Sequence, residues 1–156
     1  MLKPILLVED NPHDLELTLV ALERSQLAND VVVVRDGAEA IDYLFRTNRH
    51  KDRPAGLPAV MLLDLKLPKI DGLEVLERVR TAPELKSLPV VMLTSSREEP
   101  DLQRAYSLGV NAYVVKPVKF RDFVQAISEL GIFWAVLNEP PPGSLRKNIP
   151  FQDDAG

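Results

Sequence analysis

The sequence predicts an α/β domain built on a parallel sheet covered by helices on both faces. Three observations carry that reading. Five short apolar runs recur along the chain, segments with apolar residues at helical spacing lie between them, and the connections are mostly short. Apolar runs that do not alternate with polar residues belong to strands buried on both sides, and strand–helix repeats of this length make parallel sheets.

The elements follow in order. Pro4 to Val8 (Pro-Ile-Leu-Leu-Val) is the first strand. Asn11 caps the first helix, Pro12 takes its first position, and Leu15, Leu19 and Leu22 follow at helical spacing. Val31 to Val34 is the second strand, ended by Asp36-Gly37, and the second helix carries Ala40, Ile41, Leu44 and Phe45. A polar loop over residues 47–58 leads to the third strand, Ala59 to Leu63. The third helix spans Asp71 to Thr81 with Leu73, Leu76 and Val79 inward, and Pro83 stops it. Pro89 to Leu93 is the fourth strand, and Glu98 to Leu108 the fourth helix, closed by Gly109 at the C′ position. Ala112 to Val115 is the fifth strand; the fifth helix starts near Phe120 and aligns Phe123, Val124, Ile127 and Leu130.

Composition excludes several classes. With 156 residues, 46% of them hydrophobic and 27% charged, the chain can bury a real core. Its net charge of −4, without a block of lysines and arginines, argues against nucleic acid as a partner. There is no cysteine, which rules out disulfides, thiol catalysis and thiolate metal sites and suits a cytoplasmic protein. No apolar run reaches the length of a membrane span, so a membrane role is not expected.

The chemistry sits at the strand ends. Glu9 and Asp10 follow the first strand, Asp64 the third, Thr94 the fourth and Lys116 the fifth. Ligands of open parallel sheets bind outside the carboxyl ends of the strands. Carboxylates converging there repel one another unless a cation lies between them, and one lysine supplies a single positive charge. The set therefore invites a divalent metal together with something anionic.

Val8-Glu9-Asp10-Asn11, Leu62-Leu63-Asp64-Leu65 with Leu67-Pro68-Lys69-Ile70-Asp71-Gly72, Leu93-Thr94-Ser95, and Tyr113-Val114-Val115-Lys116-Pro117 together resemble the receiver domains of two-component response regulators. The likeness covers residues 4 to about 133. More narrowly, Val34-Arg35-Asp36-Gly37-Ala38-Glu39-Ala40, Pro83-Glu84-Leu85 and Phe133-Trp134 are similar to the small regulators paired with bacterial and cyanobacterial phytochromes. The resemblance implies a flavodoxin-like sheet in the order 2-1-3-4-5. It implies that Asp64 accepts a phosphoryl group from a sensor histidine kinase, here a phytochrome-type one. Mg²⁺ would be held by Glu9, Asp10, Asp64 and a backbone carbonyl at Lys66. Thr94 and Lys116 would bind phosphoryl oxygens, the Lys116-Pro117 peptide would be cis, and Thr94 and Tyr113 would form a packing switch read out on helix 4, strand 5 and helix 5. The Lys66 side chain would be a cation beside the phosphoryl group, or simply solvated. Catalysis would be limited to the chain's own phosphorylation and slow dephosphorylation, so it is not expected to be an enzyme in the ordinary sense.

The end of the chain departs from a bare receiver. Ile132, Phe133, Trp134, Val136 and Leu137 exceed what one helix face can bury, and Glu139-Pro140-Pro141-Pro142-Gly143 cannot be helical. We expect a receiver domain over residues 1–134 and a Pro-rich extension over 135–156 without an output domain. That extension is read as an arm of a homodimer formed with helix 4, strand 5 and helix 5. Three other functions fare worse. A phosphatase of the haloacid-dehalogenase type needs a second Asp where Lys66 stands, and a flavodoxin-like cofactor binder needs a phosphate cradle where Glu9-Asp10-Asn11-Pro12 would repel one. A receiver serving only for docking would be missing core residues, and none is missing.

Overall fold

The computed structural model describes residues 3–25, 27 and 29–131. The expectations placed on Phe133, Trp134, Val136, Leu137 and the Pro-rich extension lie outside the described residues. The elements run β1 (Ile5–Val8), α1 (Pro12–Arg24), β2 (Val31–Val34), α2 (Gly37–Phe45), a 3-10 turn (Asn48–His50), β3 (Val60–Asp64), α3 (Gly72–Thr81), β4 (Val90–Thr94), α4 (Pro100–Ser107), β5 (Ala112–Val115) and α5 (Phe120–Leu130). All pairings are parallel and the sheet order is β2-β1-β3-β4-β5, as the sequence resemblance implies.

The period of two along each strand splits the core. Ile5, Leu7, Val60, Leu62, Val91, Leu93, Ala112 and Val114 point to the face covered by α1 and α5. Leu6, Val8, Met61, Leu63, Val90 and Met92 point to the face covered by α2, α3 and α4. Both faces are buried, which is why the strands read as unbroken apolar runs.

Local differences from the sequence reading have physical reasons. The buried arc of α1 passes through Thr18, Ala21 and Leu22, with Leu15 partly buried, while Leu19 lies past its edge at 37% exposure. α4 begins at Pro100 rather than Glu98, because proline's fixed φ and missing N–H suit the first helical position. Asp64 and Thr94 are the last residues of their strands rather than the first of the loops. Gly109 leaves α4 at φ +96°, the left-handed turn expected of it. At the start of α3, a Cβ on Gly72 would collide with the Asp64 carbonyl oxygen, so only glycine lets that helix sit directly on the end of β3.

Candidate functional site

Strand order brings the polar strand ends together. β1 leaves towards β2 on one side and the chain returns to β3 on the other, so the carboxyl ends of β1 and β3 flank a crevice where the topology reverses. Asp10, Asp64, Lys66, Thr94 and Lys116 line one pocket of about 270 Å³ there, and Asp14 lines it too. One carboxylate oxygen from each of Glu9, Asp10 and Asp64 falls within 4.8 Å of the others. Glu9 is wholly buried and Asp64 nearly so, at 3% exposure, whereas Asp10 is reached by solvent.

Lys116 is the counter-ion. Its Nζ lies 3.1 Å from Asp64 Oδ2, 3.1 Å from Asp14 Oδ2 and 3.4 Å from Glu9 Oε1. The peptide that follows it, Lys116-Pro117, is cis. The remaining oxygens are also engaged: the Asn11 N–H donates to Glu9 Oε2 at 3.1 Å, and the Lys66 N–H donates to Asp64 Oδ1 at 3.2 Å. Burial, then the neighbouring Asp64 carboxylate, pushes the Glu9 carboxyl up to about 7. For Lys116, burial alone would favour the neutral amine. The Asp64 and Glu9 charges, with hydrogen bonds to Asp14 and Asp64, outweigh it and hold the ammonium above its ordinary pKa. Asp64 thus acts on both neighbours with opposite sign, repelling one and attracting the other.

The Thr94 hydroxyl donates to the Ser96 carbonyl at 3.1 Å and accepts from the Ser96 N–H at 3.4 Å, so it is turned along its own loop. Tyr113 packs edge-on against Tyr106, ring centroids 6.2 Å apart, on the half-open face between α4 and α5. The Lys66 side chain points across the pocket mouth to the start of α4, 2.9 Å from Asp101 and 3.7 Å from Glu99, rather than standing free in solvent.

Sequence reasoning singled out Glu9, Asp10, Asp64, Thr94, Lys116 and Tyr113; of these Asp10, Asp64, Thr94 and Lys116 line one pocket, Glu9 is buried beside it and Tyr113 lies on the neighbouring face. It missed Asp14. A signal existed: Asn11 caps α1, and the Asp14 N–H donates to Asn11 Oδ1 at 2.9 Å. A side chain three residues past a cap reaches back towards the strand end. It also missed the Lys66 partners, which come from a helix 35 residues away.

This donor set on this fold defines a response-regulator receiver, and residues 5–128 match the family model for the response regulator receiver domain. The chain belongs to that family. Among solved structures it is similar to the bacteriophytochrome response regulator RtBRR, with 69% identity, a TM-score of 0.83, and coverage of 94% of this chain and 88% of that one. It is likewise similar to the bacteriophytochrome response regulator AtBRR, with 68% identity, a TM-score of 0.82, and coverage of 89% and 99%. Among curated proteins, the probable methanogenesis regulatory protein FilR2 of Methanothrix harundinacea is 42% identical over 137 residues, spanning 88% of this chain and 86% of its own.

Proposed function

We propose that this chain is a Mg²⁺-dependent phosphoryl acceptor that takes its phosphoryl group on Asp64 from a sensor histidine kinase of phytochrome type, in the cytoplasm. The observation that carries the reading is Asp64 itself: a nearly buried carboxylate at the end of β3, with a lysine ammonium at 3.1 Å and two further carboxylates in reach of one ion. In the transfer, a carboxylate oxygen of Asp64 bonds to phosphorus as the phosphorus–nitrogen bond of a kinase phosphohistidine breaks, and the imidazole leaves with the electron pair.

The all-oxygen donor set fits a hard divalent cation, and its clustered negative charge needs one, since Lys116 alone balances only part of it. Glu9, Asp10, Asp64 and the Lys66 carbonyl would hold it, and it would neutralise charge on the carboxylates and the arriving group. The Mn²⁺-bound form of the related regulator Rcp1, 36% identical, and a related Mg²⁺-bound receiver domain of a sensor kinase, 25% identical, support a metal of this class. The phosphorylated form of the cyanobacterial phytochrome regulator RcpA, 40% identical, supports the covalent chemistry.

Lys116 places its ammonium on a phosphoryl oxygen, and Thr94 turns its hydroxyl from Ser96 to another. That rotation alters packing toward Tyr113, whose face with Tyr106 and α5 reports the change to a partner. On this reading residues 1–134 are the receiver and 135–156 an extension, and Phe133 and Trp134 at the end of the one with Val136 and Leu137 at the start of the other would join α4, β5 and α5 in a homodimer.

Incubation with acetyl phosphate and Mg²⁺, followed by intact mass measurement, tests the acceptor chemistry. One added phosphoryl group is expected, absent in Asp64→Asn and in EDTA. An adduct that persists in Asp64→Asn, or none in the wild type together with no binding of beryllofluoride at the site, overturns the reading.

A further inference from the structure

An ammonium has three hydrogens to donate and accepts none. In this structure all of the Lys116 hydrogens have carboxylate partners, on Asp64, Glu9 and Asp14. A phosphoryl oxygen can therefore be bound only if a partner is given up. Glu9 and Asp64 belong to the acidic set that would hold a metal ion, so a metal held there would compete with Lys116 for their carboxylates. Asp14 does not belong to it. It projects from the first turn of α1, and its side chain is 28% exposed against 15% for Lys116. Of the three, Asp14 alone keeps its claim on the lysine once the metal site is filled.

We propose, on the reading that Asp64 is the phosphoryl acceptor, that Asp14 is a positioning residue which competes with the incoming phosphoryl group for the Lys116 ammonium. Two effects share one sign. Asp14 holds Lys116 by a charge-assisted hydrogen bond, and its own charge repels an anion entering the pocket it lines. Only the loss of order in a freed lysine chain opposes them, and at 15% exposure that chain is already confined by the pocket walls. Asp14 thereby raises the threshold for activation: weak or adventitious phosphodonors are disfavoured, while a docked kinase, which brings its phosphohistidine at high local concentration, overcomes the competition.

The test is beryllofluoride binding at saturating Mg²⁺, followed by fluorine NMR, in the wild type, Asp14→Asn and Asp14→Ala, with Mg²⁺ affinity and thermal unfolding measured beside it. Both variants are expected to bind beryllofluoride about threefold or more tightly, a modest charge effect at a part-exposed pair, while Mg²⁺ affinity changes little. The Lys116 ammonium resonance in the Mg²⁺-loaded, beryllofluoride-free state should also shift in both. Loss of the helix turn would instead weaken metal and anion together. Unchanged or weaker beryllofluoride binding in both folded variants overturns the proposal for Asp14. A wild type that binds no beryllofluoride, or an Asp64→Asn variant that still does, overturns the acceptor reading itself, which separates the two failures.

Discussion

Arg80 and Lys116 are both cations that reach across the fold, and they end among opposite kinds of partner. Arg80 donates to the carbonyls of Gly109 at 2.9 Å, Lys86 at 3.2 Å and Leu88 at 2.8 Å, and to Asn111 Oδ1 at 2.8 Å. Every acceptor is neutral, and three of the four are main-chain carbonyls. Asn111 Oδ1 in turn takes the Val90 N–H at 2.8 Å, so the group ties α3, the entry to β4 and the turn before β5 into one knot at the amino end of the sheet. Lys116, at the carboxyl end, has carboxylates as its hydrogen-bond partners among the described residues. Carbonyls in a turn have no use for another cation, whereas carboxylates in a cluster do. One end of the sheet is therefore a closed frame, and the other holds a lysine whose partners can be exchanged.

The largest effect should come from breaking the frame. Arg80→Ala leaves several carbonyls of the knot without their charged donor, and about 2–3 kcal/mol of stability should be lost in urea unfolding. Added Mg²⁺ should stabilise this variant as much as the wild type and so leave the gap between them unchanged. Lys116→Met is the contrasting lesion. In EDTA it leaves Asp64 and Glu9 facing each other without a counter-ion, at a cost of about 1–2 kcal/mol, below the figure for a sealed ion pair because the pocket is open. Millimolar Mg²⁺ should close most of the gap to the wild type, since the cluster binds the metal more tightly once the competing ammonium is gone and tighter binding to the folded state stabilises it more. If the gap to the wild type responds to Mg²⁺ alike in both variants, the distinction between frame and exchangeable cluster is wrong.

A third variant lies between the two ends. Asp36 caps α2 through the Glu39 N–H at 2.7 Å and sits 3.4 Å from Lys69 in the loop after β3, so it is frame material beside the functional pocket. The Glu39 N–H, followed by the Lys69 charge, holds its carboxyl below the ordinary aspartate range. A depressed pKa means stability that is present above the unfolded-state value and lost as the pH falls through the folded one. Asp36→Ala should cost about 1 kcal/mol at pH 7. The gap to the wild type should narrow as the pH drops below about 4, where an unfolded aspartate is protonated. Urea titrations at both pH values decide this. A gap independent of pH would mean the charge contributes nothing and only the cap geometry matters.

How much of this was legible in the sequence depended on the range of the interaction. The five strands could be read because both faces are buried, and the pocket could be read because parallel topology sends every strand's carboxyl end to one edge. The Asn11 cap could have aimed Asp14 back at the strand end, but its lysine partner, 102 positions away, could not be read locally. The Lys66 bridge to Asp101 and the Arg80 knot escaped for the same reason, since nothing local announces which carbonyl or carboxylate a long side chain will find. Leu19 failed differently. Spacing alone put it with Leu15 and Leu22, but the packed arc of α1 was set by α5, and it turned the stripe towards Thr18 and Ala21.

Thr18 gives the smallest and most exacting test of the frame. It is 1% exposed on the inner arc of α1, and its hydroxyl has no hydrogen-bond partner among the described residues. Arg80 shows what a satisfied polar group adds to this fold; Thr18 shows what an unsatisfied one subtracts. Valine has nearly the same shape and a similar helix propensity, so Thr18→Val removes the buried hydroxyl while leaving the packing almost unchanged. Burying an unpaired hydroxyl costs about 1–3 kcal/mol, part of which a Thr→Val exchange should recover, for a gain of about 0.5–1 kcal/mol in chemical unfolding. The acceptor chemistry proposed for Asp64 should be untouched, because Thr18 is not among the residues lining the pocket. A loss of stability in Thr18→Val would show that the hydroxyl does have a partner, an internal water being the natural one, and that this inner face of α1 is as fully hydrogen-bonded as the Arg80 knot.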